Sequence, residues 1–192
     1  MLSKLRDFSN SIFSKFSFIG NFLSPNSITL LGFLSSLIGA YFLIEKSFLI
    51  SAFFFLLSGF FDLIDGVVAR KFKKATTFGG VLDAVADRYE EFVMVFSSLL
   101  SSLVNGDLAL ITFLSMIMPS YVRARAESTG KMKSCAVGVL ERQEKLLFFV
   151  VFLILQNFFE SSLFYCFILI SILGQITVIQ RLLAAKRANR KI

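Results

Sequence analysis

Long apolar segments separated by short polar turns most limit how this chain can fold. Hydrophobic residues make up 56% of the 192 residues and include 25 phenylalanines, more than a soluble domain of this size can bury. A helix of about 20 apolar residues crosses a bilayer. The segments predict one all-α integral membrane domain over residues 1–192, with a bundle of six transmembrane helices at 24–185. The helices are expected at about 25–44, 48–70, 78–104, 108–127, 139–158 and 161–185.

The distribution of charge predicts the orientation of this bundle. The net charge is +7, and Lys46 is the only basic residue in the turns on one side of the expected bundle. Because basic loops stay in the cytoplasm, we expect a multi-pass protein of the cell membrane with both termini cytoplasmic, including the basic tail at 186–192. A basic chain can also bind nucleic acid, but here the positive residues flank apolar segments instead of forming a stripe. No nucleic-acid partner is expected.

The first segment, residues 1–23, carries an amphipathic pattern instead of a continuous apolar run. Its large apolar residues recur at helical spacing: Leu5, Phe8, Ile12, Phe16, Ile19 and Phe22. It lacks the apolar core and cleavage site of a signal peptide. The pattern predicts a helix lying on the membrane surface or packed on the protein itself, and the two are compatible.

Four aspartates interrupt the apolar pattern of the second and third predicted spans. Asp62 and Asp65 are three residues apart, Asp83 and Asp87 are four apart, and each pair shares one helical face at the cytoplasmic end. Facing carboxylates repel, and a divalent cation relieves that repulsion. The chain has no histidine and two cysteines without a CxxC motif, so the metal ligands must be oxygens. The alternative is a buried salt-bridge network with Arg70, Arg88 or the Lys71–Lys74 loop.

Small residues and one arginine accompany the aspartates. Gly66 and Ala69 each follow an aspartate by one helical turn, and Gly79 precedes the second pair. They leave space beside the carboxylates for a helix or a ligand. Arg70 adds a planar donor suited to phosphate. A metal, free space and an arginine together indicate a substrate that carries a pyrophosphate.

The spacing D-x2-D-G-x2-A-R-x8-G-x3-D-x3-D, from Asp62 to Asp87, resembles the signature of the CDP-alcohol phosphotransferase family. The resemblance implies six transmembrane helices with an interfacial helix, a homodimer, and group transfer from CDP-archaeol or CDP-diacylglycerol to an alcohol with release of CMP. It implies that Asp62, Asp65, Asp83 and Asp87 hold two Mg²⁺ or Mn²⁺ ions per subunit and that Asp87 is the general base. The residues implied to bind the CDP-lipid are Asn26, Ser27, Ile28, Thr29, Gly66, Arg70 and Thr76.

The stretches SYVRARAESTG and VLERQEKL, at residues 120–130 and 139–146, resemble the branch of the family that uses inositol 1-phosphate. That branch comprises the phosphatidylinositol-phosphate and archaetidylinositol-phosphate synthases. Gln143 and Lys145 depart from it, since relatives often have proline and arginine there. The residues implied to bind the acceptor phosphate are Ser120, Arg123, Arg125, Arg142, Lys145 and Arg181.

Three alternatives remain open on the sequence. Each basic residue of the acceptor set can be an ordinary flanking charge of a membrane helix. The acceptor can be glycerol 3-phosphate, which also carries a phosphate. The aspartates can also belong to a divalent-cation transporter, although such sites tend to lie near the bilayer midplane and these lie near the inner face.

Overall fold

Six α-helices form the protein over residues 20–130, 132 and 134–189, which the computed structural model describes. The helices are α1 (Pro25–Ile44), α2 (Phe48–Lys71), α3 (Thr77–Leu100), α4 (Gly106–Ser128), α5 (Arg142–Leu155) and α6 (Ser162–Asn189). No strand occurs within these described ranges, so the prediction of an all-α protein is confirmed. The predicted surface helix falls mostly on residues 1–19, which lie outside the described residues.

Side-chain caps determine where three of the helices begin. The Ser24 hydroxyl accepts a hydrogen bond from the Ser27 amide at 3.1 Å, and Pro25 occupies the first turn of α1. Thr76 caps α3 and Asn105 caps α4 in the same way. Each cap satisfies a backbone amide that has no partner within its helix. Residues 105–107, the gap between the third and fourth expected helices, are therefore largely the start of α4.

Helix α5 is shorter than the sequence predicted. Glu141 and Glu144 form a reciprocal capping box, so the helix begins at Arg142 instead of near residue 139. It ends at Leu155, with Gln156 as its C-cap. By contrast, α6 continues to Asn189, four residues into the segment predicted to be a basic tail. The prediction for α3 was also too long, because that helix ends at Leu100.

Four of the six helices, α1, α2, α4 and α6, are long and apolar enough to cross a membrane. Helix α3 is 24 residues long but carries both aspartates of the second pair, Arg88 and two glutamates. Helix α5 has 14 residues, about 21 Å at 1.5 Å per residue, which is shorter than a hydrocarbon core of about 30 Å. The count of six spans therefore stays a prediction for these two helices.

Close approach of backbones holds α1 against α2. A Cβ on Gly39 would lie 3.1 Å from the Phe55 ring, so any larger residue would displace that ring. The Ser51 hydroxyl donates to the Gly39 carbonyl at 2.7 Å, and Ser35 donates to the Phe54 carbonyl at 2.8 Å. Small residues and hydroxyl hydrogen bonds are the usual basis of helix packing in membranes. Elsewhere α1 packs on α3, α2 on α5, α3 on α4, and α6 on both α4 and α5.

The two ends of the bundle differ in chemistry. One end holds the main apolar core, in which Leu43, Phe55, Phe149 and Phe167 are fully buried or nearly so. At the other end, where α1 begins and α2 ends, a smaller apolar cluster around Ile28 adjoins the acidic residues. Many large side chains point outward on all six helices, as expected for surfaces that face lipid. The buried charged residues of the described bundle are thereby concentrated at one end.

Candidate active site

Three aspartates meet at the polar end of the bundle. One carboxylate oxygen from each of Asp62, Asp83 and Asp87 lies within 4.8 Å of the other two. Asp62 comes from the last three turns of α2, while Asp83 and Asp87 share a face of α3 because they are four residues apart. We call these residues the aspartate triad. The structure therefore brings together three of the four predicted metal ligands.

The triad fits a divalent cation. Asp83 Oδ1 is buried and has no hydrogen-bond partner in the described part of the chain. Unpaired buried carboxylate oxygens are costly, and here they converge with two more carboxylates. Hard oxygen donors of this kind are what Mg²⁺ and Mn²⁺ prefer.

Asp65 lies outside the triad. Its side chain is buried, and Oδ2 accepts a hydrogen bond of 2.5 Å from the Thr29 hydroxyl on α1. The three-residue step from Asp62 turns Asp65 toward α1 instead of α3, since the helix rotates by about 100° per residue. Thr29 thus orients this carboxylate at the edge of the cluster.

Arg142 lies directly against the triad from the start of α5. Its Nη1 forms ion pairs with Asp62 and, at 2.9 Å, with Asp87 Oδ1. Its Nη2 donates to Glu90 Oε2 at 2.6 Å. The residue predicted to hold the acceptor phosphate is therefore within contact distance of the candidate metal ligands.

A second charge cluster lies one turn further along α3 and α5. Lys145 Nζ donates to Glu91 Oε1 at 2.6 Å and to the Met116 carbonyl at 2.7 Å. Arg88 Nη1 lies 3.1 Å from Glu91 Oε2 and also donates to the Ser120 hydroxyl. We call these residues the Glu91 cluster. Lys145 and Ser120, two of the residues predicted to bind the acceptor phosphate, thus make hydrogen bonds to other residues of the protein.

Arg181 and the segment before α5 form a further contact. The Arg181 side chain is buried; its Nε donates to the Val137 carbonyl at 2.8 Å and its Nη1 to the Pro119 carbonyl at 2.6 Å. Gly138, at φ 137°, lies so close to Thr177 that a Cβ there would collide with it. Arg181 therefore ties the chain that leads into α5 to both α4 and α6. In this structure its donors are directed at backbone carbonyls.

The remaining acceptor residues, Arg123 and Arg125, are exposed on the last turns of α4. Arg123 Nε pairs with Glu127 at 3.0 Å, and Glu127 in turn accepts from the Cys135 amide at 2.9 Å. These two arginines are accessible to a ligand from outside.

The residues predicted to bind the CDP-lipid group around the start of α1 and the start of α3. A Cβ on Gly79 would lie 3.1 Å from Asn26 Oδ1 and 3.0 Å from Thr76 Oγ1, so glycine lets the two helix ends meet there. The Ser27 hydroxyl lies 2.8 Å from that of Ser24. Ile28 is fully buried in the small apolar cluster, so its side chain packs in the core.

Gly66 and Arg70 lie on the face of α2 one turn beyond the triad. A Cβ on Gly66 would come within 3.2 Å of Arg70 Nη1. The absence of a side chain at 66 lets the guanidinium lie back along the helix toward the aspartates. The sequence prediction that Gly66 leaves space is consistent with this contact.

The sequence did not indicate any partners on α5 for Glu90 and Glu91. The salt-bridge alternative named Arg70, Arg88 and the Lys71–Lys74 loop as partners. In the structure Arg88 pairs with Glu91 at 3.1 Å and lies 3.6 Å from Asp87, while Arg142 and Lys145 add ion pairs that the sequence did not indicate. The available indication was the spacing, since the two glutamates follow Asp87 by three and four residues, and Arg142 and Lys145 are also three apart. Nothing in the sequence pairs α3 with α5.

A comparison with known protein families agrees with the geometry. The model of the CDP-alcohol phosphatidyltransferase family matches residues 22–187. The chain belongs to this family. It is therefore a membrane enzyme that transfers substituted phosphate groups, and the transporter alternative is dropped. The family is metal-dependent, which fits the aspartate triad.

Synthases of archaetidylinositol phosphate and of phosphatidylinositol phosphate are among its relatives. The archaetidylinositol phosphate synthase of Pyrococcus horikoshii is 32% identical over 166 residues, which cover 86% of this chain and 85% of that protein. The phosphatidylinositol phosphate synthase of Mycobacterium tuberculosis, solved with CDP-DAG bound, has a TM-score of 0.75 at 25% identity over 92% of each chain. The same synthase in complex with manganese and citrate has a TM-score of 0.74 at 26% identity, covering 92% of this chain and 88% of that one.

Proposed function

We propose that this phosphotransferase moves a phosphatidyl or archaetidyl group from a CDP-linked lipid to 1L-myo-inositol 1-phosphate and releases CMP. The observation that carries the proposal is the contact between the aspartate triad and Arg142. It places a candidate metal site beside a guanidinium suited to phosphate. The relatives named as inositol phosphate synthases support the choice of acceptor.

The reaction is a displacement at the phosphorus that carries the lipid. The acceptor hydroxyl oxygen bonds to that phosphorus, the bond to the CMP oxygen breaks, and the hydroxyl proton passes to Asp87. Divalent ions, Mg²⁺ or Mn²⁺ and two per subunit, neutralise charge on the phosphoryl oxygens when bound. Asp62, Asp83 and Asp87 would hold them, with Asp65 at the edge of the cluster oriented by Thr29.

Two groups of residues flank this centre. Asn26, Ser27, Thr29, Gly66, Arg70 and Thr76 line the CDP side in the proposal, with Ile28 contributing its backbone. Because Gly79 brings Asn26 and Thr76 together, the starts of α1 and α3 form one surface for the nucleotide. On the acceptor side, Arg142 and the exposed Arg123 and Arg125 supply positive charge.

The experiment measures CMP release by purified protein in detergent with Mg²⁺ and a CDP-linked lipid. Inositol 1-phosphate, glycerol 3-phosphate and free inositol are tested as separate acceptors, with CDP-archaeol and CDP-diacylglycerol as separate donors. We expect release with inositol 1-phosphate alone. Release with glycerol 3-phosphate instead would reject the inositol assignment and keep the reaction. No release with any acceptor, from protein shown to be helical and monodisperse, would reject the proposal.

The arrangement in the cell belongs to the same proposal. A single membrane domain would place both termini and the active site on the cytoplasmic side, with residues 1–23 on the membrane surface and a homodimer as the assembly. Apart from Lys46, the basic residues of the described bundle lie toward its polar end, in agreement with the positive-inside rule. Labelling of single cysteines introduced at Glu45 and at the chain end tests the sidedness, and crosslinking tests the dimer.

A further inference from the structure

The two terminal nitrogens of Arg142 have different partners. Nη1 contacts Asp62 and Asp87, both members of the aspartate triad. Nη2 donates at 2.6 Å to Glu90, which lies outside the triad. Nη2 is thus held by a carboxylate that is not a candidate metal ligand. Nη1, by contrast, contacts carboxylate oxygens that a metal ion would bind.

Arg142 and a divalent cation therefore compete for the same carboxylates. The Arg142 guanidinium is shared among three carboxylates, and Arg88 adds only a 3.6 Å contact to Asp87. The repulsion is therefore only partly relieved, and Asp83 Oδ1 remains without a partner among the described residues. A divalent cation bound at the triad would have twice the charge of the guanidinium. It would therefore attract Asp62 and Asp87 more strongly and would repel Nη1.

Arg142 is placed to accept a second partner once Nη1 is released. It is the first residue of α5, directly after an irregular segment, and 19% of its side chain is exposed. A phosphate monoester offers a planar pair of oxygens to a guanidinium and binds it through charge-assisted hydrogen bonds. An acceptor without phosphate has no group that can hold the displaced nitrogen.

We infer that Arg142 is a specificity-determining residue that couples metal binding to binding of a phosphorylated acceptor. Without acceptor, Nη1 rests on Asp62 and Asp87 and weakens metal binding. A phosphate on the acceptor draws Nη1 away while Glu90 retains Nη2, and the triad is then available to the metal. Each ligand strengthens the other by the same factor, as thermodynamic linkage requires. The inference rests on the proposed function only in taking the acceptor to carry a phosphate.

The test titrates Mn²⁺ into the full chain in detergent and follows free Mn²⁺ by electron paramagnetic resonance. The titration is run with no addition, with inositol 1-phosphate, with inorganic phosphate and with free inositol, each corrected by a protein-free blank. In the wild type we expect Mn²⁺ to bind about tenfold more tightly with either phosphate compound than with free inositol. Equal affinities in all four conditions would overturn the inference.

The variant Arg142→Gln separates the coupling from direct contact between phosphate and metal. We expect it to bind Mn²⁺ more tightly than the wild type without acceptor, and to gain nothing from phosphate. Coupling that persists in this variant, or Mn²⁺ binding no tighter than in the wild type, would overturn the inference. Lys186→Met removes one exposed positive charge near the end of α6 and is expected to keep the wild-type coupling.

A second variant covers the case in which Arg142→Gln does not fold. Arg142→Lys keeps the charge but lacks the two-sided fork, so we expect intermediate Mn²⁺ affinity and weaker coupling. Wild-type coupling in Arg142→Lys would overturn the inference. If CMP assays show glycerol 3-phosphate as the acceptor, the inositol assignment fails while the arm with inorganic phosphate still decides the coupling.

Discussion

The aspartate triad with Arg142 and the Glu91 cluster with Lys145 are two charge clusters only one helical turn apart. In the Glu91 cluster, the lysine has a carboxylate and a backbone carbonyl as partners, and 3% of its side chain is exposed. In the triad, Arg142 is 19% exposed and its guanidinium is shared among three carboxylates. The lysine is therefore enclosed in one cluster, while the arginine stays partly exposed in the other.

The difference shows that the burial of a charged side chain and the number of its partners indicate whether it stabilises the fold or can bind a ligand. A buried ion pair with satisfied donors holds helices in place and has no capacity left for a ligand. An arginine shared among excess carboxylates can exchange partners when a cation or a phosphate arrives. Lys145, predicted from the resemblance to bind phosphate, lies in the first kind of cluster. We expect it to position α5 and, through α5, Arg142.

The largest expected effect comes from Asp87→Asn in the triad. Loss of a general base typically lowers a rate by about 10²–10⁴-fold, and this residue is also a candidate ligand. Because the change removes one of several repelling carboxylates, we expect the thermal midpoint without metal to stay unchanged or to rise. CMP release and thermal unfolding in detergent measure the two effects. An active variant would remove Asp87 from the proposed mechanism.

The next effect concerns stability in the other cluster. Lys145→Met leaves the buried Glu91 with Arg88 but without its lysine. Breaking a buried ion pair typically costs about 3–5 kcal/mol, and the remaining arginine should keep the loss at the lower end of that range. We expect a lower free energy of unfolding in denaturant, and recovery of most of it in the double variant Glu91→Gln/Lys145→Met. If Lys145→Met keeps its stability and only raises the KM for the acceptor, the two clusters do not differ as described and Lys145 contacts substrate.

The smallest structural effect is expected outside both clusters, at the exposed pair of Arg123 and Glu127. Arg123 is 46% exposed, and exposed ion pairs contribute about 0–1 kcal/mol. Arg123→Gln should therefore leave stability nearly unchanged, while the KM for inositol 1-phosphate rises about tenfold if this residue holds the phosphate. The KM for the CDP-linked lipid is the internal control. An unchanged KM for both substrates would remove Arg123 from the acceptor site.

Much of the helical layout could be predicted, because apolar length and polar turns are local properties of the chain. The predicted segments locate all six helices, and α1 and α2 differ from their expected bounds by at most one residue. Errors occurred where capping decided the boundary, as at Glu141, whose box with Glu144 starts α5 late. Helical spacing on two neighbouring helices predicted that all four aspartates meet, and the structure brings together Asp62, Asp83 and Asp87 while Asp65 turns to Thr29.

The partners of these aspartates could not be predicted from the sequence, because each partner depends on which helices pack together. By itself, the sequence determined that the chain is helical and apolar, and that its aspartates share helix faces, since periodicity and side-chain chemistry are properties of short segments. Only the tertiary structure decided that Asp65 turns to Thr29, that Arg142 rests on the triad and that Lys145 is enclosed by Glu91 and Met116. Those contacts join residues 29 to 80 positions apart, and it is the packing of helices, not local preference, that brings such distant positions together.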